Sequence, residues 1–243
     1  ASNLAVLGTT RENPDEPDLS IDPRFNLTGT QLSLITQKLA YMGICNHKSA
    51  KWRRGTSQML DITRHAVRQN HGPMHDDKMI WKTVRNKDFN KPYCSFLWKA
   101  LHKNHKIGAY WSYIPNYEHQ SLCHKCGTME ELEHIILECD ILGQKIVWNV
   151  TKNLWLKKVP RWPELKNIGD ILGCGLAEFK DRHNKPIKGA SRLYRILISE
   201  STLFIWKLRN ERLFKHDSEE TWPNQTEVHN RWLGIINARL MLD

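Results

Sequence analysis

The chain has 243 residues and a mass of 28.5 kDa, with 40% hydrophobic residues, ten tryptophans and 26% charged residues; that is enough to bury a real core and too rich in packing residues for disorder throughout. No apolar run approaches the ~18 to 20 residues that a membrane-spanning helix needs, so a membrane role is a poor fit. The formal net charge of +10 and pI near 9.3 favour a polyanionic partner, because lysine and arginine release counterions when they meet phosphates.

In chain order, residues 1–8 (ASNLAVLG) read as the end of a helix without the charged, apolar and cleavage regions of a signal peptide, so the chain reads as a fragment of something longer. Residues 9–25 hold three prolines and several acids without helical periodicity and read as an extended acidic linker. Residues 26–243 read as one helical region. Leu32, Ile35, Leu39 and Met42 form the apolar stripe of its first helix, with Thr28 or Thr30 able to cap it. A basic, polar stretch over 45–56 precedes a helix at 57–70, which the Gly72-Pro73 pair breaks, and a further helix is predicted over about 75–86. After the Asn90-Lys91-Pro92 turn, Phe96, Leu97, Ala100 and Leu101 share a helical face.

Further on, Ile141, Ile146, Trp148, Val150, Leu154 and Trp155 predict a helix ended by Pro160 and Pro163, followed by a short helix over 163–172 that stops at Gly173. The longest periodic segment, 189–215, carries Leu193, Ile196, Leu197, Phe204 and Leu208 on one side and should be a long core helix. Glu200 falls inside that stripe, as a buried ion-pair partner or as the mark of a bend. The last helix starts after Trp222-Pro223, with Asn224 as N-cap and Glu227 three residues on. No alternating pattern runs longer than about four residues. The fold class is therefore all-α, an irregular multi-helix domain with an embedded zinc knuckle.

The six cysteines are spaced unevenly: three fall at 123, 126 and 139, and single ones at 45, 94 and 174. This is the pattern of a metal site plus core thiols, and it suits a reducing, intracellular setting. Cys123, Cys126, His134 and Cys139 have C-x2-C-x7-H-x4-C spacing. Three thiolates and an imidazole suit tetrahedral Zn2+, and a site complete without water is structural. Gly127 permits the tight knuckle backbone, Thr128 is expected to cap the following helix with Glu131 completing the box, and His124 is expected to be exposed.

The run from Ile80-Trp81-Lys82 through Cys94-Ser-Phe96-Leu97-Trp98-Lys99 and Ile107-Gly108 to the cysteines, Glu130-Glu131-Leu132-Glu133-His134 and Val147-Trp148 resembles the zinc-binding region that follows reverse transcriptase in non-LTR, LINE-like retrotransposon polyproteins. The specific match covers about 79–150. It continues more weakly through Gly173 to Leu176, residues 199–213 and residues 229–240, which resemble the C-terminal region of polyproteins that carry reverse transcriptase and ribonuclease H. Residues 1–8 resemble the end of a ribonuclease H helix. The resemblance implies zinc ligands and a nucleic-acid-binding role. It places polymerase and ribonuclease H chemistry upstream, outside this chain, and no carboxylate cluster here replaces it.

Three basic clusters lie beside tryptophans: Lys48, Lys51, Arg53 and Arg54 around Trp52; Lys99, Lys103 and Lys106 ahead of the knuckle; and Lys157 and Lys158, with Arg161, near Trp155 and Trp162. Lys125 projects from the knuckle itself. These residues are either phosphate contacts, with Trp52 as a stacking ring, or solvated charges, with Trp52 in the core. Arg192, Arg195, Arg209 and Arg212 lie off the apolar stripe of the long helix and read mainly as surface charges. The leading function is a zinc-stabilised module that holds RNA template or target DNA. The alternative is a scaffold that docks on the upstream polymerase and ribonuclease H without touching nucleic acid.

Overall fold

The computed structural model describes residues 6, 8–9, 19–20, 35–47, 53–141, 143–215 and 221–241. Lys48, Lys51 and Trp52 lie outside the described residues, as do most of the linker, Leu32 and the caps expected at Thr28 and Thr30. Contacts divide the chain into two units, 1–51 and 52–243. In the first, α1 (Gln37–His47) is held at its start by the Thr36 side chain, which accepts from the Leu39 N–H at 3.3 Å. Ile35, Leu39 and Met42 are exposed there.

The second unit is all-α; among its described residues two isolated bridges, Leu122 with Met129 and Lys180 with Pro186, are the only β pairing. Its helices are α2 (Arg54–His71), α3 (Asp77–Thr83), α4 (Lys91–Leu101), α5 (Gln144–Leu156), α6 (Ile168–Leu172), α7 (Lys188–Lys215) and α8 (Gln225–Met241). Side-chain caps fix several starts. Asp76 accepts from the Met79 N–H at 2.9 Å, Asn90 from Tyr93 at 2.7 Å and Asn224 from Glu227 at 2.9 Å. Asn167 and Asp170 form a reciprocal capping box for α6, which therefore begins five residues later than its apolar pattern indicates. The helix expected over 75–86 shortens to α3 because Asp76 caps it and its last turn closes at Val84.

The core is organised around α7. From Ile196 to Ile205 every residue of α7 is buried, so its middle is enclosed on all sides rather than along one stripe. Leu97 and Leu101 of α4, Val147 and Trp155 of α5, Ile171 and Leu172 of α6 and Trp232 and Ile236 of α8 belong to the same buried cluster. Two serines of that segment are internally bonded: Ser199 donates to the Ile196 carbonyl at 3.1 Å, and Ser201 meets Thr151 at 2.7 Å and accepts from the Trp232 indole at 2.9 Å. Glu200 accepts from Asn90 Nδ2 at 2.8 Å with both oxygens and faces the Arg239 guanidinium at 3.4 Å, which settles it as a buried ion-pair partner.

Close approach of α2 and α6 depends on two glycines. A Cβ at Gly169 would sit 2.6 Å from the Ile62 carbonyl oxygen and 2.8 Å from Ala66 Cβ, and one at Gly173 would sit 2.3 Å from Val67 Cγ2. The buried face of α2, Thr56, Met59, Leu60, Thr63, Ala66 and Val67, follows the three-and-four spacing that this contact requires.

Two arginines of α7 are not surface charges. Arg209 is 8% exposed and binds both carboxylate oxygens of Glu130, itself 8% exposed. Arg195 Nε donates to the buried Asp88 at 2.6 Å, and Arg192 flanks the same carboxylate at 3.5 Å. The helical period shows that these arginines leave the apolar stripe, but not that carboxylates some 80 to 110 residues earlier in the chain cover them.

Candidate metal centre

Two 3-10 turns, Gly108–Tyr113 and Glu118–Ser121, lead into the knuckle. The Cys123 N–H donates to the Thr128 carbonyl at 2.7 Å and the Gly127 N–H to the Cys123 carbonyl at 2.8 Å, closing a loop whose turn needs Gly127 at φ 66°. Because the Thr128 carbonyl is committed to Cys123 and Met129 bridges Leu122, the chain forms no helix before Leu132. Thr128 is thus not a helix cap; the helix begins at Leu132 and passes into a π-turn, His134–Glu138. The Cys139 N–H donates to the His134 carbonyl at 2.8 Å, the bond that carries Cys139 back beside His134.

One ligand atom from each of Cys123, Cys126, His134 and Cys139 lies within 4.8 Å of the others. Cys139 Sγ is 3.7 Å from Cys123 Sγ and 3.8 Å from Cys126 Sγ. These separations are too long for disulfides and match the ~3.8 Å edge of a tetrahedron with ~2.3 Å metal–sulfur bonds. The imidazole completes the fit: His134 Nε2 is buried with no hydrogen-bond partner, while Nδ1 lies 3.8 Å from the Glu138 carboxylate. A buried, unsatisfied ring nitrogen beside three sulfurs is the donor set of a Cys3His metal site. Burial pushes the Cys139 thiol up to about 12, with Cys123 beside it adding to the effect.

The surroundings are divided by charge. Arg212, whose guanidinium burial pulls down, is held up by the thiols of Cys139 and Cys123 and by Glu130, and it lies over the Trp222 ring at 5.5 Å. On the open side, Glu131, Glu133, Glu138 and Asp140 join Cys126 and His134 around a cleft of about 580 Å³. Glu133 is raised by burial and then by Glu138, as expected of crowded carboxylates. A phosphate would be repelled by this wall. Lys125 and His124 are exposed on the knuckle, and Lys145 pairs with Asp140 at 2.5 Å.

The remaining basic residues do not share one fate. Arg53 and Arg54 are exposed at the start of α2, and Lys103 lies against that start: a Cβ at Gly55 would be 3.1 Å from Lys103 Cβ. His102 Nδ1 meets Thr56 Oγ1 at 3.1 Å, and its pKa is lowered by burial and by Arg53. Arg53 and Arg54 of the first basic cluster thus meet Lys103 of the second at one corner. Lys99 is exposed on the last turn of α4, and Lys106 is exposed with its Nζ 5.5 Å from the centre of the Tyr110 ring. Lys157 and Lys158 are exposed at the end of α5, but Trp155 beside them is fully buried and donates to the Arg161 carbonyl at 2.8 Å, so it is a core residue. Sequence reasoning missed Trp98 as an exposed ring; its position off the Tyr93, Phe96, Leu97, Ala100 and Leu101 stripe was the signal.

No described helix is long and apolar enough to cross a membrane. The chain matches no protein-family model, no curated protein and no solved structure.

Proposed function

We propose that this chain is a zinc-stabilised nucleic-acid-binding module, and that it holds an RNA template or target DNA for reverse transcriptase and ribonuclease H domains of a LINE-like polyprotein. The resemblance of residues 79–150 supplies the polyprotein setting, and the Cys3His donor set supplies the choice of zinc. In this reading the metal is structural, and the chain contributes binding rather than a polymerase or nuclease reaction.

The observation that carries the binding role is the corner where Arg53, Arg54 and Lys103 meet. Among the described residues none of these three cations is in an ion pair, and α2 has no acidic residue in its first turn. Cations at the positive end of an 18-residue helix oppose its dipole, a cost that bound phosphate would offset. Lys99, Lys106, Lys157 and Lys158 remain as further phosphate contacts in this proposal, with Lys48, Lys51 and Trp52 on the chain just before the corner; Lys125, on the knuckle beside the acidic cleft, is not among them.

The test is a salt titration of binding to single-stranded and duplex RNA and DNA. Log affinity should fall linearly with log salt, by ~0.7 per phosphate contacted on a single strand and ~0.9 on a duplex. Absence of binding at low salt would overturn the reading and favour the docking scaffold.

A further inference from the structure

The basic corner carries a row of rings. Trp98 of α4 is 48% exposed, and its ring centroid lies 4.4 Å from that of His102, one helical turn on. On its other side His102 meets Trp81 of α3 at 4.8 Å, with the two planes 32° apart. Thr56 holds the His102 ring nitrogen, so the row is tied to the first turns of α2 and borders Arg53 and Lys103. His102 is biased toward its neutral form by burial and by the Arg53 charge. It therefore joins the row as an aromatic ring rather than as another cation.

This arrangement is costly unless something covers it. Half of a tryptophan faces solvent beside cations that repel one another, when the same helix had a fully buried face available for an aromatic ring. A surface that pairs an exposed indole with unpaired guanidinium and ammonium groups matches a ligand made of flat rings strung on an anionic backbone. A duplex offers the anionic backbone but keeps its bases stacked inside. A single strand offers both.

Building on the nucleic-acid reading above, we infer that Trp98, backed by His102 and Trp81, is a stacking platform for a base of single-stranded nucleic acid, whose flanking phosphates meet Arg53, Arg54 and Lys103. The platform selects single strands over duplexes and tolerates any base, since every base has a π face.

The experiment uses the full, zinc-loaded chain and a 12-nucleotide oligouridine, with a duplex of equal length as the control. Trp98→Leu should weaken oligouridine binding roughly 5- to 150-fold, leave its salt slope unchanged and leave duplex binding unchanged. Arg53→Gln and Lys103→Gln should each lower the single-strand slope by ~0.7. Because Trp98 is half exposed, the variant is expected to keep its zinc content and its unfolding midpoint. Independently of any variant, 5-iodouridine in the oligonucleotide should photocross-link the wild-type chain at Trp98. Wild-type binding with a cross-link elsewhere and an unaffected Trp98→Leu variant would overturn the platform and leave the nucleic-acid reading standing. No binding by the wild type to either probe would overturn both.

Discussion

The Glu130–Arg209 pair is the most consequential single contact between the knuckle segment and the central helix. Glu130 lies four residues before the candidate ligand His134, and its N–H donates to the Ser121 carbonyl at 2.9 Å. Its two carboxylate oxygens are both taken by Arg209, through Nε at 3.0 Å and through Nη2. Replacing Arg209 with Met keeps much of the side-chain volume but leaves a carboxylate that is 8% exposed without its donors. Removing one partner of a buried pair costs about 3 to 5 kcal/mol. Arg212 lies within electrostatic reach of Glu130, which places the expectation near 3 kcal/mol. In urea unfolding of the zinc-loaded protein, with a slope of about 2 to 3 kcal/mol/M, the midpoint should fall by about 1 to 1.5 M with the slope unchanged. Glu130→Met combined with Arg209→Met should recover most of the loss, because an apolar pair of similar volume removes the stranded charge. A cost below ~1 kcal/mol for Arg209→Met would refute the reasoning, since that is the worth of a solvent-exposed pair.

Zinc should be present at one per chain, and chelation should lower the unfolding midpoint and release the buried thiols to alkylation; a reduced protein that holds no zinc and gains no structure when zinc is added would remove the structural-metal account. Gly169→Ala should cost about 1 to 3 kcal/mol, because its Cβ would press on the Ile62 carbonyl and on Ala66, whereas the same change at Gly189, where nothing lies within 4 Å, should cost far less; calorimetry on both variants checks the contrast. Burial lowers His105 to about 4 from 6.5, so the fold prefers its neutral ring: that stability is fully present above pH ~6.5, is lost as pH falls toward 4, and amounts to about 3 kcal/mol. His105→Phe, which keeps a ring against Phe96 and Trp206, should lose this pH dependence, so that its stability relative to wild type changes by about 3 kcal/mol between pH ~6.5 and ~4; parallel pH curves would contradict it.

What the sequence made legible was whatever depends on near neighbours. The Cys/His spacing, the αL turn at Gly127 and the cap at Asn224 are decided within a few residues, and each is found where the local chemistry puts it. Readings failed where a distant segment supplied the deciding partner. Arg195 and Arg209 look like solvated charges until Asp88 and Glu130 arrive, and Thr128 looks like a cap until Cys123 claims its carbonyl. The late start of α6 is a different miss, because Asn167 and Asp170 carry the capping signal openly and the apolar pattern obscured it. Trp98 falls within the run that resembles the retrotransposon motif, but only its place outside the buried face of α4 distinguishes it from the tryptophans of the core.

The net charge of +10 is not spread evenly, and its distribution bears on how the metal serves the fold. The open side of the ligand cluster is walled by Glu131, Glu133, Glu138 and Asp140, so a zinc ion held by three thiolates would sit beneath negative potential that favours the cation and opposes a phosphate. The corner of Arg53, Arg54 and Lys103 has the opposite sign and no thiols. A knuckle that touched phosphate directly would want the reverse arrangement. In the proposed reading the metal therefore holds residues 123–139 in place, Glu130 and Arg209 pass that order to α7, and recognition falls to the helical surface that α7 supports through α4.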